Sequence, residues 1–460
     1  MHTYIIRRLL LMIPTLLGIT LVVFVVMAAS PGGISAQSLI EGQNLDPQAK
    51  KAMEDYYNRI YGLDDPAPVQ YLRWLNNASP IGFTLDENNA ISGFSFMKGS
   101  DLGISFRYGR PVTDLMTERV PVTLLLNLLS VPIIYLIAIA VGVHSATERG
   151  KPFDVVSGVS MLTLWSIPTM LAGVLLIGFF ASNQYWHWFP TAGLSQREAL
   201  DMPFLPHWSS VSDVLLLFGC LIAGTMLLTA LALRGGARLR TAVMSAIGAA
   251  LGIAMAHALP GEATWFIQGL LAVLIAVTLG AIGYMDFRGL RVAFMAAAGL
   301  ILGVAIAANL AQGEFVRGFL LDRIWHLALP VLCLSYGGFA FLAKLTRGAV
   351  LENLLADYAR TAHAKGASEQ HVLWRHVFRN SLLPLITVSA GLLPGLLGGS
   401  VIVESLFSID GMGKLAVEAV QARDRELLLS LTLISGLLTL AGYLIADICY
   451  AIADPRVSYE

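Results

Sequence analysis

Ten long apolar runs dominate the chain. Each is long enough to cross the roughly 30 Å hydrocarbon core of a bilayer as a helix. They lie at about 9–29, 121–143, 156–181, 212–233, 241–259, 264–284, 292–312, 326–344, 382–403 and 427–450. Little charge is left to clothe a soluble surface: 13% of residues are charged and 56% are hydrophobic, where an average soluble domain carries about 25% charge. The expected class is an all-α polytopic membrane protein. Arg7 and Arg8 precede the first run. Its length, and the lack of a small-x-small cleavage site, favour a retained helix over a signal peptide. Cys220, Cys333 and Cys449 lie in apolar runs and are expected to be small buried hydrophobes, not disulfides. The net charge of −1 argues against a nucleic-acid partner.

Loop charge predicts the orientation. With both termini in the cytoplasm, the inner loops carry Arg149 and Lys151, then Arg234, Arg238 and Arg240, then Arg288 and Arg291. A long basic loop from Arg347 to Arg379 follows, and the tail holds Arg456. Two polar segments stand out. The first, 30–120, faces outside and reads as short helices at 46–61 and 68–75, then a Gly, Asn and Ser stretch. Residues 111–120 are expected as an amphipathic helix at the membrane surface. The length of the segment favours docking of a partner over a plain connector.

The second, 346–381, contains DYARTAHAKGASEQHVLWRHVFRNSLLPL at 357–385. Residues 357–365 lack helix breakers, Gly366 suits a left-handed helix end, and Ser368 suits the cap of a second helix. A short helix on a basic loop is shaped for a groove on another protein.

This segment resembles the EAA loop of ABC importer permeases, in the pattern of the dipeptide and oligopeptide branch. The matching residues are Asp357, Tyr358, Arg360, Thr361, Ala362, Ala364, Lys365 and Gly366, then Arg375, His376 and Asn380. IIRRLLLMIPTLLGIT at 5–20, GLDDPAPVQYLRWL at 62–75, DLGISF at 101–106, RVPVTLLL at 119–126 and GGSVIVESLFSIDGMG at 398–413 resemble the same permeases. So does the ending with Asp447, Asp454, Pro455 and Arg456. ERGKPFDV at 148–155 and SYGGFA at 335–340 lean towards the oligopeptide and microcin C subgroup. The resemblance covers about 1–195 and 320–460. The proline slot of the general EAA pattern falls on Phe378 and Arg379, with Pro384 further on, and the EAA triplet reads Arg360, Thr361, Ala362.

The resemblance implies a six-helix type I importer core with four added helices. The expected parts are an N-terminal helix at 1–29, a periplasmic segment at 30–120, core helices two and three at 121–195, an inserted four-helix region at 196–320, and core helices four to six at 321–460 around the coupling loop 346–381. It further implies a bacterial inner-membrane permease subunit, with a homologous second permease, two ATP-binding subunits and a periplasmic solute-binding protein as partners. ATP and Mg would sit on the ATPase chains, and no cofactor on this one. The expected mechanism is alternating access driven through the coupling helix, with peptides or peptide-like solutes as cargo. The alternatives are a proton-coupled secondary transporter, which calls for intramembrane carboxylates or inverted repeats, and a non-transporting scaffold.

Glu404, Asn127, Trp165, Ser166 and Tyr336 are candidate path residues, each against a plain structural role. Asp447 is expected to cap a helix end or to pair locally, for instance with a basic loop residue. No G-x-x-x-x-G-K-[ST] or H-E-x-x-H pattern is present, so no catalytic or metal residue is expected; Gly411, Met412, Gly413 and Lys414 lack the spacing.

Overall fold

The structure is a computed structural model that describes residues 2–30, 46–61, 63, 65–85, 91–208, 211–257, 265–285, 288–311, 313 and 315–453. Along the chain come α1 (His2–Ala29), α2 (Pro47–Tyr61) and α3 (Ala67–Ala78), then a hairpin of β1 (Gly82–Leu85) and β2 (Ile91–Ser95). α4 (Val112–Thr147), α5 (Pro152–Ser166) and α6 (Thr169–Leu176) follow, the last ending in a π-turn at Ile177–Ala181. After the two-residue strand β3 (His207–Trp208) come α7 (Val211–Arg234), α8 (Ala237–His257), α9 (Trp265–Tyr284) and α10 (Arg288–Leu310). Strand β4 (Phe315–Val316) pairs with β3 and leads into α11 (Gly318–Leu355). α12 (Asp357–Ala364), α13 (Phe378–Leu406), α14 (Met412–Gln421) and α15 (Arg425–Ala453) complete the chain.

Among the described residues eight helices are long and apolar enough to cross a membrane, and the α5–α6 pair makes a ninth if counted as one span. The expected span at 382–403 lies inside the 29-residue α13. The chain is therefore helical and polytopic, as the apolar runs predict.

Two local expectations need correction. The run 156–181 is not one straight helix: it bends by 97° between α5 and α6. Ile167 is extended (ψ 123°) ahead of Pro168, as a residue before proline prefers to be. Residues 112–120 do not form a separate surface helix. They extend α4 to 36 residues, because Val112, Leu115 and Met116 are buried against protein. The Gly-, Asn- and Ser-rich stretch after α3 contains the β1–β2 hairpin.

The backbone divides into two compact units, Met1–Tyr135 with Lys344–Glu460, and Leu136–Ala343. In the first, Phe24, Tyr71, Trp74, Leu102, Leu115 and Leu427 meet in one core. For members outside the apolar spans, such as Leu102, full burial from water contributes about 1.5–3 kcal/mol. Tyr71 anchors α3 to α1: its hydroxyl donates to Leu17 O at 3.1 Å and lies 3.0 Å from Thr20 Oγ1. Arg425, 3% exposed, donates to Gln70 Oε1 at 2.6 Å and pairs with the neighbouring Glu426. Asp447 pairs with Arg8 at 3.1 Å, so its partner comes from helix α1 and not from a loop.

In the second unit, α4 and α5 meet through Ser145 and Ser157, whose hydroxyls lie 2.8 Å apart. Gly150, at φ +77°, makes the turn between them and donates its N–H to Asp154 Oδ2 at 2.9 Å. The break at Pro168 leaves the Ile167 carbonyl in need of a donor, and Tyr336 of α11 donates to it at 2.6 Å. Cys333 Sγ makes a further contact, 3.6 Å from Thr169 O. Irregular backbone at membrane depth is tolerated only where protein or water satisfies it.

Candidate functional site

The segment after α11 is built by backbone rules that its residues obey one by one. α11 ends at Leu355, and Ala356 turns extended (ψ 150°), so α12 starts in a new direction. Just past the end of α12, Gly366 takes φ +85°. Its N–H donates to His363 O at 2.9 Å, and that of Ala367 donates to Ala362 O at 3.2 Å. This pair of bonds is the Schellman ending, which satisfies helix carbonyls that otherwise lack partners. No atom crowds Gly366, since a Cβ there would meet nothing within 4 Å. Glycine is favoured at this position by φ alone.

Ser368 caps the next helix, its Oγ accepting from His371 N at 3.4 Å. That helix widens into a π-turn at Val372–Val377 and runs directly into α13. Single-turn π segments recur at functional sites. Val372, Leu373 and Val377 are buried, and Ser381 Oγ donates to Ala349 O at 3.2 Å, which fixes the start of α13 to α11.

The residues matched to the EAA pattern share one short stretch of surface. Asp357, Tyr358, Arg360, Thr361, Ala364, Lys365, Gly366, Arg375 and Asn380 are exposed, while Ala362 and His376 are half-buried. Ala359, 1% exposed, is the foot of α12 on the rest of the chain. Arg360 reaches Asp357 at 3.6 Å, and Tyr358 Oη donates to Asn353 Oδ1 at 2.5 Å. One residue was missed in reading the sequence: Trp374, 43% exposed, stands beside Arg375 with its ring 5.1 Å from that of Phe378. A large apolar ring left open in a basic segment was the available signal.

The five candidate path residues fall into two groups, one in each unit. Glu404 and Asn127 meet through Thr123. Thr123 Oγ1 donates to Glu404 Oε1 at 2.7 Å, and Asn127 Nδ2 donates to Thr123 O at 2.9 Å. Glu404 is fully buried and also accepts the Lys414 N–H at 3.0 Å. Gly413 and Ser400 donate to it as well. The carboxylate thus sits at the N-terminus of α14, where free N–H groups favour an anion. A Cβ at Gly411 would fall 2.4 Å from its carboxyl carbon. In this conformation Glu404 faces protein donors, not an open path.

Trp165, Ser166 and Tyr336 gather at the α5–α6 break. The Trp165 ring lies 6.1 Å from that of Phe341 and is 55% exposed. Ser166 Oγ donates back to Leu162 O at 2.8 Å. Tyr336 serves the Ile167 carbonyl.

A second polar cluster, unforeseen from sequence, lies just before α15. Asp424 Oδ2 accepts from Ser105 Oγ at 2.5 Å and Arg107 N at 3.2 Å, and Oδ1 from Leu427 N at 3.1 Å. Burial pushes its carboxyl above the usual carboxylate range, partly opposed by those donors. Tyr108 donates to Glu418, and burial followed by that contact raises its phenol. Among the described residues no group of three or more His, Cys, Asp or Glu side chains is arranged to hold a metal ion.

Comparison with known proteins shows the family of the chain. Residues 138–459 match the family described as binding-protein-dependent transport system inner membrane component, and residues 1–127 match its N-terminal domain. The oligopeptide transport system permease AppB of Bacillus subtilis is 31% identical, with each chain covered in full. The inner membrane ABC transporter permease YejB of Escherichia coli O157:H7 is 25% identical, again with both chains fully covered. A peptidoglycan transport system permease, YejB of Agrobacterium fabrum, is 25% identical over all of this chain and 99% of its own. The chain belongs to the binding-protein-dependent transport system inner membrane component family.

Proposed function

We propose that this ABC importer permease carries peptides or peptide-like solutes, and that residues 357–380 are the handle through which ATPase subunits move it. The family makes the chain a multi-pass inner-membrane transport component, with ATP hydrolysed on separate subunits. That membership speaks against a proton-coupled secondary transporter. The cargo reading rests on relatives named for oligopeptide and peptidoglycan transport.

The observation that carries the handle is α12 itself. It is a short helix with extended backbone before it and a left-handed glycine after it, and its charged side chains are turned to solvent. In this reading Tyr358, Arg360, Ala362, Lys365, Arg375, His376 and Trp374 meet a groove on the ATPase. Each coupling segment is carried with its groove as the ATPase dimer closes and opens. The permease shifts between states only as far as this contact differs between them. Segment 357–380 then lies in the cytoplasm with both termini, and α2, α3 and the hairpin lie outside, where a solute-binding protein docks. A second permease chain and two ATPase chains complete the assembly. Region 196–320 is a four-helix addition to a six-helix core.

The test is peptide uptake in cells carrying Gly366→Pro or Ala362→Asp. Uptake is expected to fall to background while membrane level stays normal, and ATPase subunits no longer co-purify. Normal uptake in both variants would sink the assignment.

A further inference from the structure

Helices α7–α10 carry an order that transport through the core does not use. One constant shift in numbering, the shift that takes Arg240 to Arg291, aligns α8 with α10. Met244 falls on Met295, Gly248 on Gly299, Leu251 on Leu302, Gly252 on Gly303 and Ala256 on Ala307. In helices rich in Ala, Gly and Leu some matches arise from composition alone. The contacts decide the matter, because matched residues have matched partners.

Arg240 Nε donates to Gly283 O at 3.1 Å, and Arg291 Nε donates to Ala232 O at 3.1 Å. The same shift takes Ala232 to Gly283. Each guanidinium makes a second bond near the helix turn: Arg240 Nη1 to Gly235 O at 3.0 Å, Arg291 Nη1 to Met285 O at 2.8 Å. These carbonyls lie at or just past the C-terminal ends of α7 and α9, where the backbone runs out of N–H partners and favours a cation.

The glycines repeat the pattern. A Cβ at Gly248 would fall 2.5 Å from Ile275 O, and one at Gly299 would fall 2.4 Å from Gly224 O. A Cβ at Gly252 would fall 2.6 Å from Leu271 O, and one at Gly303 would fall 2.6 Å from Cys220 O. The shift takes Gly224 to Ile275 and Cys220 to Leu271. The outer faces agree too: Leu215 and Phe266 are 68% and 62% exposed, and Met226 and Val277 are 66% and 65%.

The exchange is crossed, since the arginine of each hairpin holds a carbonyl of the other. This is the self-complementary pattern of a two-fold dimer. We infer that α7–α8 and α9–α10 are two copies of one helical hairpin, joined in tandem, that close on each other as a built-in dimer through paired arginine clasps and glycine seams. The copies have diverged: under the same shift the first helices, α7 and α9, keep only Leu228 with Leu279 and Ala230 with Ala281, and the repeat in sequence lies in α8 and α10. Ser245, which donates to Ala276 O at 3.1 Å, is matched by Ala296, and Gly283 is matched by Ala232. Trp186 Nε1 donates to Met255 O of the first copy at 2.9 Å.

The inference is independent of cargo and coupling, and it is tested in the assembled transporter in detergent. Residues 240–256 are exchanged with 291–307 in the full chain, leaving Ser245 and Ala296 in place. Because the seams are equivalent, the apparent Tm is expected to stay within about 3 °C of the parent, while a scrambled segment of equal composition lowers it by about 10 °C or more. An exchange as damaging as the scramble would overturn the inference. A second measurement compares Gly248→Leu with Gly299→Leu. Both are expected to lower Tm by similar amounts, about 5 °C or more, whereas Gly219→Leu and Gly269→Leu, at glycines with open space around them, leave it unchanged. Tolerance of one matched substitution but not the other would also overturn it.

Discussion

Helices α7–α10 and the junction of α4, α13 and α14 hold their parts together by opposite means. In the four-helix block, backbones approach through glycines spaced along whole helices, with polar reinforcement from Arg240 and Arg291 at one end of each hairpin and from Ser245 along one seam. At the junction, one buried carboxylate, Glu404, collects donors from three elements. Lipid supplies no hydrophobic drive between helices, so close packing and internal hydrogen bonds are the available forces. The block spreads that task over many weak contacts. The junction concentrates it in one residue. Damage to the first is therefore graded, and damage to the second is abrupt.

The largest expected effect is at the junction. Glu404→Ala leaves the Thr123 hydroxyl and the Lys414 N–H without their acceptor and opens a cavity. It is expected to cost about 3–5 kcal/mol, read as apparent Tm of the purified protein. A loss under about 1 kcal/mol would erase the contrast. Next comes the seam. Gly303→Ala sets a methyl against the Cys220 carbonyl and is expected to cost about 1–3 kcal/mol on the same readout. A smaller effect sharpens the comparison from a third site: Tyr336→Phe removes the donor to Ile167 O and is expected to cost about 1–2 kcal/mol, with the fold retained by circular dichroism.

The smallest effect is one of pH. The Asp424 carboxyl is raised by burial. Its stabilising contribution is therefore complete below the ordinary Asp range and declines as pH rises through the raised value. Asp424→Asn is expected to flatten that decline, which begins above the ordinary Asp range of about pH 4. A Tm-against-pH curve parallel to that of the parent would contradict it.

The spans and the glycine-ended α12 were legible in the sequence because both follow from local rules. Apolar length sets the first, and Gly366 with Ser368 sets the second. The Pro168 break was not legible, for a physical reason. Pro14, Pro121, Pro132 and Pro330 all sit inside continuous helices, so proline alone does not decide. At Pro168 the freed Ile167 carbonyl finds its donor in Tyr336 of α11, a contact between residues far apart in sequence. The burial of Glu404 was hidden for the same reason: its partners Thr123 and Lys414 come from different elements. The repeat was written in the sequence of α8 and α10 but not in that of α7 and α9, and the crossed arginine contacts are what separate duplication from mere shared composition.

The bend between α5 and α6 also has a consequence for biosynthesis. The Ile167 carbonyl is satisfied by Tyr336, which leaves the ribosome only after the whole tandem pair has been made. At about 5–20 residues per second, that oxygen waits on the order of ten to thirty seconds for its permanent partner. Until then water or the insertion machinery must shield it, so this bend settles in the bilayer late although it is translated early.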